Sequence, residues 1–141
     1  MPLPAVPLAF RWERCYSAIG TQWERRDTMP RPTNDILGGT LDLLILKALS
    51  WGAAHGYTVA RWIEFATDDV LAVGEGTLYP ALHRLEERGL LAAEWGVSQN
   101  RRRAKFYTMT AAGRRQLRVE TESWTRYAHA VLAALSAPAL P

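Results

Sequence analysis

The amino-acid sequence predicts a mainly α-helical fold with one small β-hairpin and a long C-terminal helix. Between Gly74 and Gly89 apolar residues recur with the period of an amphipathic helix, and the segment ends on a glycine. Two strand-like runs follow, residues 90–97 and 105–110, on either side of a polar, arginine-rich turn. A helix followed by a hairpin with a cationic tip is the working half of a winged helix-turn-helix domain. Duplex DNA is therefore the expected partner.

Two helices are predicted upstream from apolar pattern and glycine breaks. Residues 41–51 are apolar at most positions, which is typical of a helix buried on several sides, so this is the expected central helix. Residues 52–56 interrupt it, and residues 57–67 are predicted to form a second helix. Its expected core face consists of Val59, Ala60, Trp62, Ile63 and Ala66. Tyr57, beside His55 at the start of this helix, is expected to be a packed aromatic residue.

The helix after Gly74 can be justified residue by residue. Its apolar stripe, at i, i+3, i+4 and i+7, consists of Leu78, Ala81, Leu82 and Leu85. Thr77 is the predicted N-cap, which makes Pro80 the third helical residue, where a missing N–H costs nothing. Further along, Pro80 would break the helix. Gly89 suits a left-handed C-cap, with Leu90 beyond it as the apolar contact.

The face opposite this stripe carries polar and aromatic groups. Pro80, His83 and Glu87 lie on it, with Tyr79 and Arg84 at its edges. Hydrogen-bond donors and an aromatic ring are what a groove-reading helix needs. A solvated surface would explain the same pattern in an isolated helix, so the adjacent hairpin decides between the two interpretations.

Positive charge is concentrated at and after the hairpin tip. From Gly96 to Val119 there is no acidic residue, although the net charge of the whole chain is only +3. The seven basic residues of this stretch are Arg101, Arg102, Arg103, Lys105, Arg114, Arg115 and Arg118. Such a patch is attracted to a duplex through its phosphates, and arginines at a hairpin tip fit phosphate contact or minor-groove insertion. A solubilising loop is the alternative.

Residues 111–136 contain no proline and no glycine except Gly113, and they predict one long helix. A heptad seam runs along it, formed by Leu117, Thr121, Trp124, Ala128, Val131 and Leu135. A partner chain is the economical cover for this seam, in a twofold dimer. Packing against the first helix of the same chain is the alternative. Trp124 would hold two helices apart and leave an aromatic-walled cavity; it could also be a plain interface anchor.

Four motifs in order resemble the PadR family of bacterial transcriptional regulators. The most specific is Gly-Thr-Leu-Tyr-Pro-Ala-Leu-His-Arg-Leu-Glu-Glu-Arg-Gly-Leu at residues 76–90. The others are Leu-Leu-Ile-Leu at 43–46, His-Gly-Tyr at 55–57, and Arg-Ala-Lys-Phe-Tyr-Thr-Met-Thr at 103–110 with Gly113. The resemblance covers roughly residues 36–135 and fits the short form with a single C-terminal helix. It implies a winged-helix dimer that represses promoters and is released by small phenolic or other aromatic molecules. It also implies that the Tyr57 hydroxyl contacts a phosphate and that Trp124 lines the effector site.

The expected organisation has three parts. Residues 1–35 are an N-terminal extension, residues 36–110 the winged-helix DNA-binding domain, and residues 111–141 the dimerisation helix with its tail. A possible amphipathic helix in the extension carries Trp12, Tyr16, Ile19 and Trp23. Because family-like sequence starts near Ile36, Met29 is a natural-looking start. Either the upstream start is called in error or the extension is a real extra helix.

Composition excludes several classes of protein. One cysteine, Cys15, allows no internal disulfide and no metal cluster, and it indicates a bystander thiol in a reducing cytoplasm. No apolar run approaches the roughly 20 residues of a membrane span, and no secretory signal is recognisable. His55, His83 and His129 lack paired carboxylates, and no nucleophile elbow is present. We therefore expect a cytoplasmic protein that is not an enzyme and holds no metal or cofactor.

The sequence thus predicts a sequence-specific DNA-binding regulator, a repressor released by a small aromatic or hydrophobic effector. The expected DNA contacts are Tyr57, Thr77, Tyr79, Pro80, His83, Arg84, Arg101, Arg102, Arg103 and Lys105. Among them His83 and Arg84 are the base readers, and the operator is an inverted repeat. Two alternatives remain. One is a winged-helix module whose cationic tip meets an acidic protein; the other is a MarR-type regulator, against which the Leu-Tyr-Pro run and the single C-terminal helix speak.

Overall fold

The structure, a computed structural model, describes residues 40–98 and 101–141. The elements in these ranges are α1 (Leu41–Leu49), β1 (Ala54–His55), α2 (Gly56–Ala66), α3 (Glu75–Glu87), β2 (Leu91–Val97), β3 (Arg103–Met109) and α4 (Ala111–Ser136). The strands form one antiparallel sheet in the order β1–β3–β2. The mainly helical fold, the hairpin and the long C-terminal helix are confirmed. The predicted N-terminal extension and its helix lie outside the described residues.

The core is built where α1 crosses the apolar stripe of α3. Five residues of α1 are buried, as predicted for the central helix, although the helix ends at Leu49 rather than at residue 51. The stripe of α3 is buried in full: Leu78, Ala81, Leu82 and Leu85. From α2, Val59 and Ile63 complete this core, with Ala60 and Trp62 packed at its rim. Ala66 is exposed, so its predicted core position is wrong, because α2 ends there and its last turn overhangs the core.

Only the end of the hairpin near Leu91 and Met109 is buried in the core, and the rest extends beyond it. β2 and β3 pair from Leu91 opposite Met109 to Val97 opposite Arg103. Alternate side chains on one face, among them Leu91 and Tyr107, are buried in the core. Beyond Tyr107 the same face carries Trp95, Val97, Arg103 and Lys105 past the core edge. We call residues 91–109 the wing.

A third strand, β1, is absent from the sequence prediction. Its two residues pair with the outer edge of β3, Ala54 opposite Tyr107 and His55 opposite Phe106. Two residues are too few to show an alternating pattern, and they lie in a stretch that its glycines mark as a break. The strand exists only because the fold brings this stretch beside β3.

The start of α3 differs from the prediction. The helix begins at Glu75 with Gly74 as N-cap, and the Thr77 side chain makes no capping bond, so Thr77 is wrong as the N-cap. Pro80 is the sixth helical residue, not the third, and it does not break the helix. Its ring removes only the bond to the Gly76 carbonyl, which lies in an exposed first turn where water can satisfy it. Burial of Leu78 keeps this turn helical.

The end of α3 follows the prediction. Gly89 has a positive φ of 74°, in the left-handed region that favours glycine. The Leu90 amide donates to the Leu85 carbonyl at 2.9 Å, and the Gly89 amide donates to the Glu86 carbonyl at 3.0 Å. These two bonds form a Schellman cap, with Leu90 buried behind it.

Thr110 connects the end of α3 to the start of α4. Its hydroxyl donates to the Gly89 carbonyl at 2.7 Å and accepts from the Gly113 amide at 3.1 Å, so it is the N-cap of α4. Its own amide donates to the Leu90 carbonyl at 3.1 Å. Gly113 approaches this carbonyl so closely that a Cβ there would collide with the oxygen. We call these contacts of Thr110 and Gly113 with residues 89 and 90 the helix junction. They fix the start of α4 to the end of α3.

Candidate nucleic-acid interface

The outer face of α3 is open along its length. His83, Glu87 and Pro80 are exposed opposite the buried stripe, and Tyr79 and Arg84 are exposed at the edges, as the sequence predicts. Thr77 lies half-buried on the same edge as Arg84. The helix therefore exposes an imidazole, a guanidinium and a phenol while its buried stripe stays packed in the core.

An ion pair braces each edge of α3. On one edge, Arg84 and Arg88 share the Asp42 carboxylate of α1, at 3.6 and 3.7 Å. On the other, the Lys105 ammonium of the wing donates to Glu86 at 3.0 Å. The Asp42 pairs are exposed and long, which makes them weak, so Arg84 can leave Asp42 for a stronger acceptor.

Lys105 is the most constrained of the predicted DNA contacts. Its ammonium lies on Glu86 and 5.5 Å from the centre of the Tyr107 ring. The hydrogen bond to Glu86 raises the pKa of Lys105, which keeps it charged. Burial raises the pKa of the Tyr107 phenol, which stays neutral beneath it. A phosphate contact of Lys105 would have to share this ammonium with Glu86.

At the tip of the wing, backbone hydrogen bonds connect Ser98 with Arg101 and Arg102. The Ser98 amide donates to the Arg102 carbonyl at 2.8 Å, and the Arg101 amide donates to the Ser98 carbonyl at 2.9 Å. Arg101 has a left-handed φ of 57°. All three arginines are exposed. Arg103 belongs to β3, whereas Arg101 and Arg102 precede this strand.

The start of α2 lies beside α3. Gly56 has no room for a side chain, because a Cβ there would be 2.9 Å from the Tyr79 ring. Tyr57 contacts His55, with ring centres 6.2 Å apart, and the Arg61 guanidinium lies 5.1 Å from its ring. It is nevertheless 42% exposed, so the packed role expected for it is only partly met.

A histidine caps α2. The His55 Nδ1 accepts from the Thr58 amide at 3.3 Å, which requires a neutral nitrogen at that position. Partial burial lowers the pKa of His55 and favours this neutral form. The sequence places His55 at the mouth of the helix but gives no sign of this capping role.

The predicted seam of α4 divides into two parts. Near the junction, Leu117 packs against the core, and α1 contacts α4, so the same-chain alternative holds for this end. From Thr121 onwards almost every residue is exposed, including Trp124, Val131 and Leu135. Tyr127 and Leu132 add to this apolar surface, and the Trp124 and Tyr127 rings lie 5.6 Å apart. Ala128 is half-buried.

Three residues that contact the predicted DNA-binding side chains are absent from the sequence prediction. They are Asp42 and Glu86, which hold basic residues, and Trp95, which contacts Arg103. Each acts on a residue from another element or strand, so no local pattern marks it. Within residues 40–98 and 101–141, no group of three acidic, histidine or cysteine side chains could hold a metal ion. None of the helices in these ranges is long and apolar enough to cross a membrane.

Comparison with known proteins gives consistent matches. Residues 45–119, more than half of the chain, match the model of the transcriptional regulator PadR-like family. A transcriptional regulator of Mycobacterium tuberculosis is 45% identical over 60 residues, 43% of this chain and 55% of that protein. An uncharacterised protein of Lysinibacillus sphaericus is 29% identical over 91 residues, which span 64% of this chain and 84% of the relative.

Solved structures agree with these sequence matches. A PadR-like transcriptional regulator of Bacillus cereus has a TM-score of 0.64 at 26% identity, covering 74% of this chain and 99% of that one. A PadR family regulator of Eggerthella lenta has a TM-score of 0.62 at 31% identity, covering 74% and 89%. The similarity therefore extends over the winged domain and into α4.

Proposed function

The chain belongs to the transcriptional regulator PadR-like family, and on that premise we propose that it represses its promoters as a twofold dimer on inverted-repeat operators. The observation that carries this proposal is the open outer face of α3, which has basic residues along one edge and the cationic wing along the other. A face that is polar and uncovered suits insertion into a major groove.

The proposed contacts divide by role. His83 and Arg84 read base edges, with Tyr79, Thr77 and Pro80 beside them near the backbone. Phosphates are contacted by the Tyr57 hydroxyl and by Arg101, Arg102, Arg103 and Lys105 of the wing. Two reading helices related by twofold symmetry enter successive major grooves, so the half-sites lie about one turn, roughly 34–36 Å, apart.

The dimer is proposed to form along the outer part of α4. Trp124, Val131 and Leu135 expose apolar surface in the isolated chain, and a second copy of the same helix would cover it. Trp124 at this seam supports a small aromatic or hydrophobic effector that binds between the two helices and releases DNA.

The test is binding to duplex DNA from the region upstream of the chain's own gene, measured by fluorescence anisotropy against a scrambled duplex. We expect His83→Ala with Arg84→Ala to lower discrimination between the two duplexes by roughly 5- to 150-fold for each base-reading side chain removed, the equivalent of about 1–3 kcal/mol. Non-specific binding to the scrambled duplex should change much less.

The matched control is Arg126→Ala with His129→Ala, which removes the same two side-chain types from an exposed part of α4. This control should discriminate as the unmodified protein does. Undiminished discrimination by the α3 double variant would show that the reading face is assigned wrongly. Absence of salt-dependent duplex binding would favour the protein-interaction alternative. Transcription in vitro from the same template separates repression from activation.

A further inference from the structure

Trp95 of β2 is exposed at an unusual place for a tryptophan. It lies on the same face of the wing as the buried residues Leu91 and Tyr107 but beyond the edge of the core. The residue is 59% exposed. Neither the hydrophobic core nor the apolar surface of α4 uses it. Trp95 is instead exposed beside several arginines, where its ring can contact one of their charged groups.

The Arg103 guanidinium lies over the Trp95 ring in a cation–π contact, with its central carbon 4.6 Å from the ring centre. The strand register explains this contact. Trp95 is directly opposite Lys105, and Arg103 is opposite Val97, so Trp95 and Arg103 are diagonal neighbours on one face. Long and aromatic side chains reach each other across this diagonal.

On the opposite face of the wing, Phe106 packs behind β2 next to Trp95. A Cβ on Gly96 would lie 3.0 Å from the Phe106 ring, so this ring covers the backbone beside Trp95 on the opposite face. Phe106 in turn contacts His55 of β1 edge-on, with ring centres 5.6 Å apart. Packing behind the strand that contains Trp95 therefore extends through Phe106 to His55, at the start of α2.

The other wing cations lack this arrangement. Arg101 and Arg102 are exposed and precede β3, and no aromatic contact of either occurs among the described residues. Lys105 is bound to Glu86. Of the wing cations that the structure describes, only Arg103 has an aromatic contact and no carboxylate partner. Stacking occupies the flat face of a guanidinium and leaves its in-plane N–H donors free for a phosphate.

We propose that Trp95 is a positioning residue that holds Arg103 ready for the DNA backbone, so that Arg103 contributes more to wing affinity than Arg101 or Arg102. The inference rests on the proposed DNA-binding function. The contact with Trp95 would restrict the rotamers of Arg103 before binding, so less conformational entropy would be lost when the phosphate contact forms. Arg101 and Arg102 act as unoriented charges on the same surface.

The experiment measures binding of a labelled random-sequence duplex of about 30 base pairs, roughly three helical turns, over a series of salt concentrations. A random duplex isolates backbone contacts from base reading. Arg103→Gln should lower affinity more than the matched Arg101→Gln and Arg102→Gln, and it should flatten the slope of log K against log salt by about 0.9 for each phosphate that is no longer neutralised.

A double-variant cycle tests Trp95 itself. Trp95→Leu should lower affinity roughly two- to fivefold per wing when Arg103 is present, as expected for an exposed cation–π contact. It should have no effect in the Arg103→Gln background. Trp95→Phe keeps an aromatic face and should restore most of the affinity, which a purely structural role would not predict. Thermal unfolding verifies that each variant is folded.

The outcomes separate the two proposals. If the unmodified protein binds DNA but Trp95→Leu acts equally with and without Arg103, the positioning role is refuted and the proposed function stands. The same holds if Arg101→Gln equals Arg103→Gln in its effect. If the unmodified protein binds no duplex, both proposals fail. Coupling between Trp95 and Arg103, with rescue by phenylalanine, supports the inference.

Discussion

At the scale of single residues, the cap of α2 is an imidazole whose pKa is lowered by partial burial. A neutral His55 Nδ1 accepts from the Thr58 amide, whereas a protonated imidazole cannot accept and places positive charge at a helix N-terminus. Partial burial lowers the pKa of His55 in the folded protein. The folded state therefore binds this proton less readily than the unfolded chain does.

We predict that stability contributed by His55 is complete above the unfolded pKa of about 6.5 and is lost as pH falls through the lowered folded value. Urea unfolding between about pH 7.5 and 5, a window centred near that pKa, should show this decrease. His55→Asn keeps a capping acceptor that does not titrate, so its stability should fall less. Parallel pH profiles for the two proteins would exclude His55 as the source. His83→Asn is the control for an exposed histidine.

At the scale of elements, the helix junction depends on one hydroxyl. Thr110→Ala removes the N-cap of α4 and the bond to the Gly89 carbonyl together. We expect a loss of roughly 1–3 kcal/mol in the free energy of unfolding, the sum of a cap and a hydrogen bond. Thr110→Ser retains both bonds and should recover most of this loss.

Urea denaturation measures the Thr110 series, with Thr125→Ala in exposed α4 as the matched control. That control should be neutral or slightly stabilising, because alanine is the better helix former. Equal stability of the Thr110 alanine and serine variants would mean that the hydroxyl does not maintain the junction.

The elements that sequence predicts well are those whose cause is local. The stripe of α3 and the bounds of α4 follow from periodicity and from the absence of breakers, and Gly89 ends α3 because only a left-handed residue fits there. The start of α3 is predicted wrongly because the propensity of Pro80 is outweighed by burial of Leu78, a tertiary effect.

The candidate site shows the same division. The open face with His83 and Arg84 is visible in the helical period, and the arginines are visible in the composition. The partners that hold these residues are not, because Asp42 is about 40 positions from the arginines that it pairs with. Trp95 and Arg103 become neighbours only through the hairpin register. Roles that depend on pairing between elements require the folded structure.

At the scale of the whole molecule, the exposed part of α4 is the expected link between effector and DNA. A planar phenolic ligand between Trp124 and its symmetry mate would stack on both indoles and change the tilt of the two helices. Because the half-sites of the proposed operator have fixed spacing, a tilted dimer would fit the two grooves less well. A difference of 1.4 kcal/mol between the two arrangements changes DNA affinity about tenfold.

We predict that such a ligand quenches tryptophan fluorescence and releases DNA over the same concentration range. Trp124→Ala should abolish both responses, and sedimentation and DNA binding of this variant without ligand verify that the lost response is not a lost dimer. Trp95→Phe removes a different exposed tryptophan, and ligand should release DNA from it fully relative to the variant's own ligand-free affinity. A full response in the Trp124 variant would place the effector site elsewhere.

The helix junction also gives the molecule a mechanical property. Trp124 is the fourteenth residue of α4, about 20 Å from the start of that helix, and the 13 residues of α3 span about 20 Å from the same junction. With a rigid junction, the two helices turn as a bent lever with equal arms. A spread of about 3 Å at Trp124 then becomes about 3 Å at the tip of α3. Wedging at the proposed effector site would thus reach the proposed reading helix undiminished.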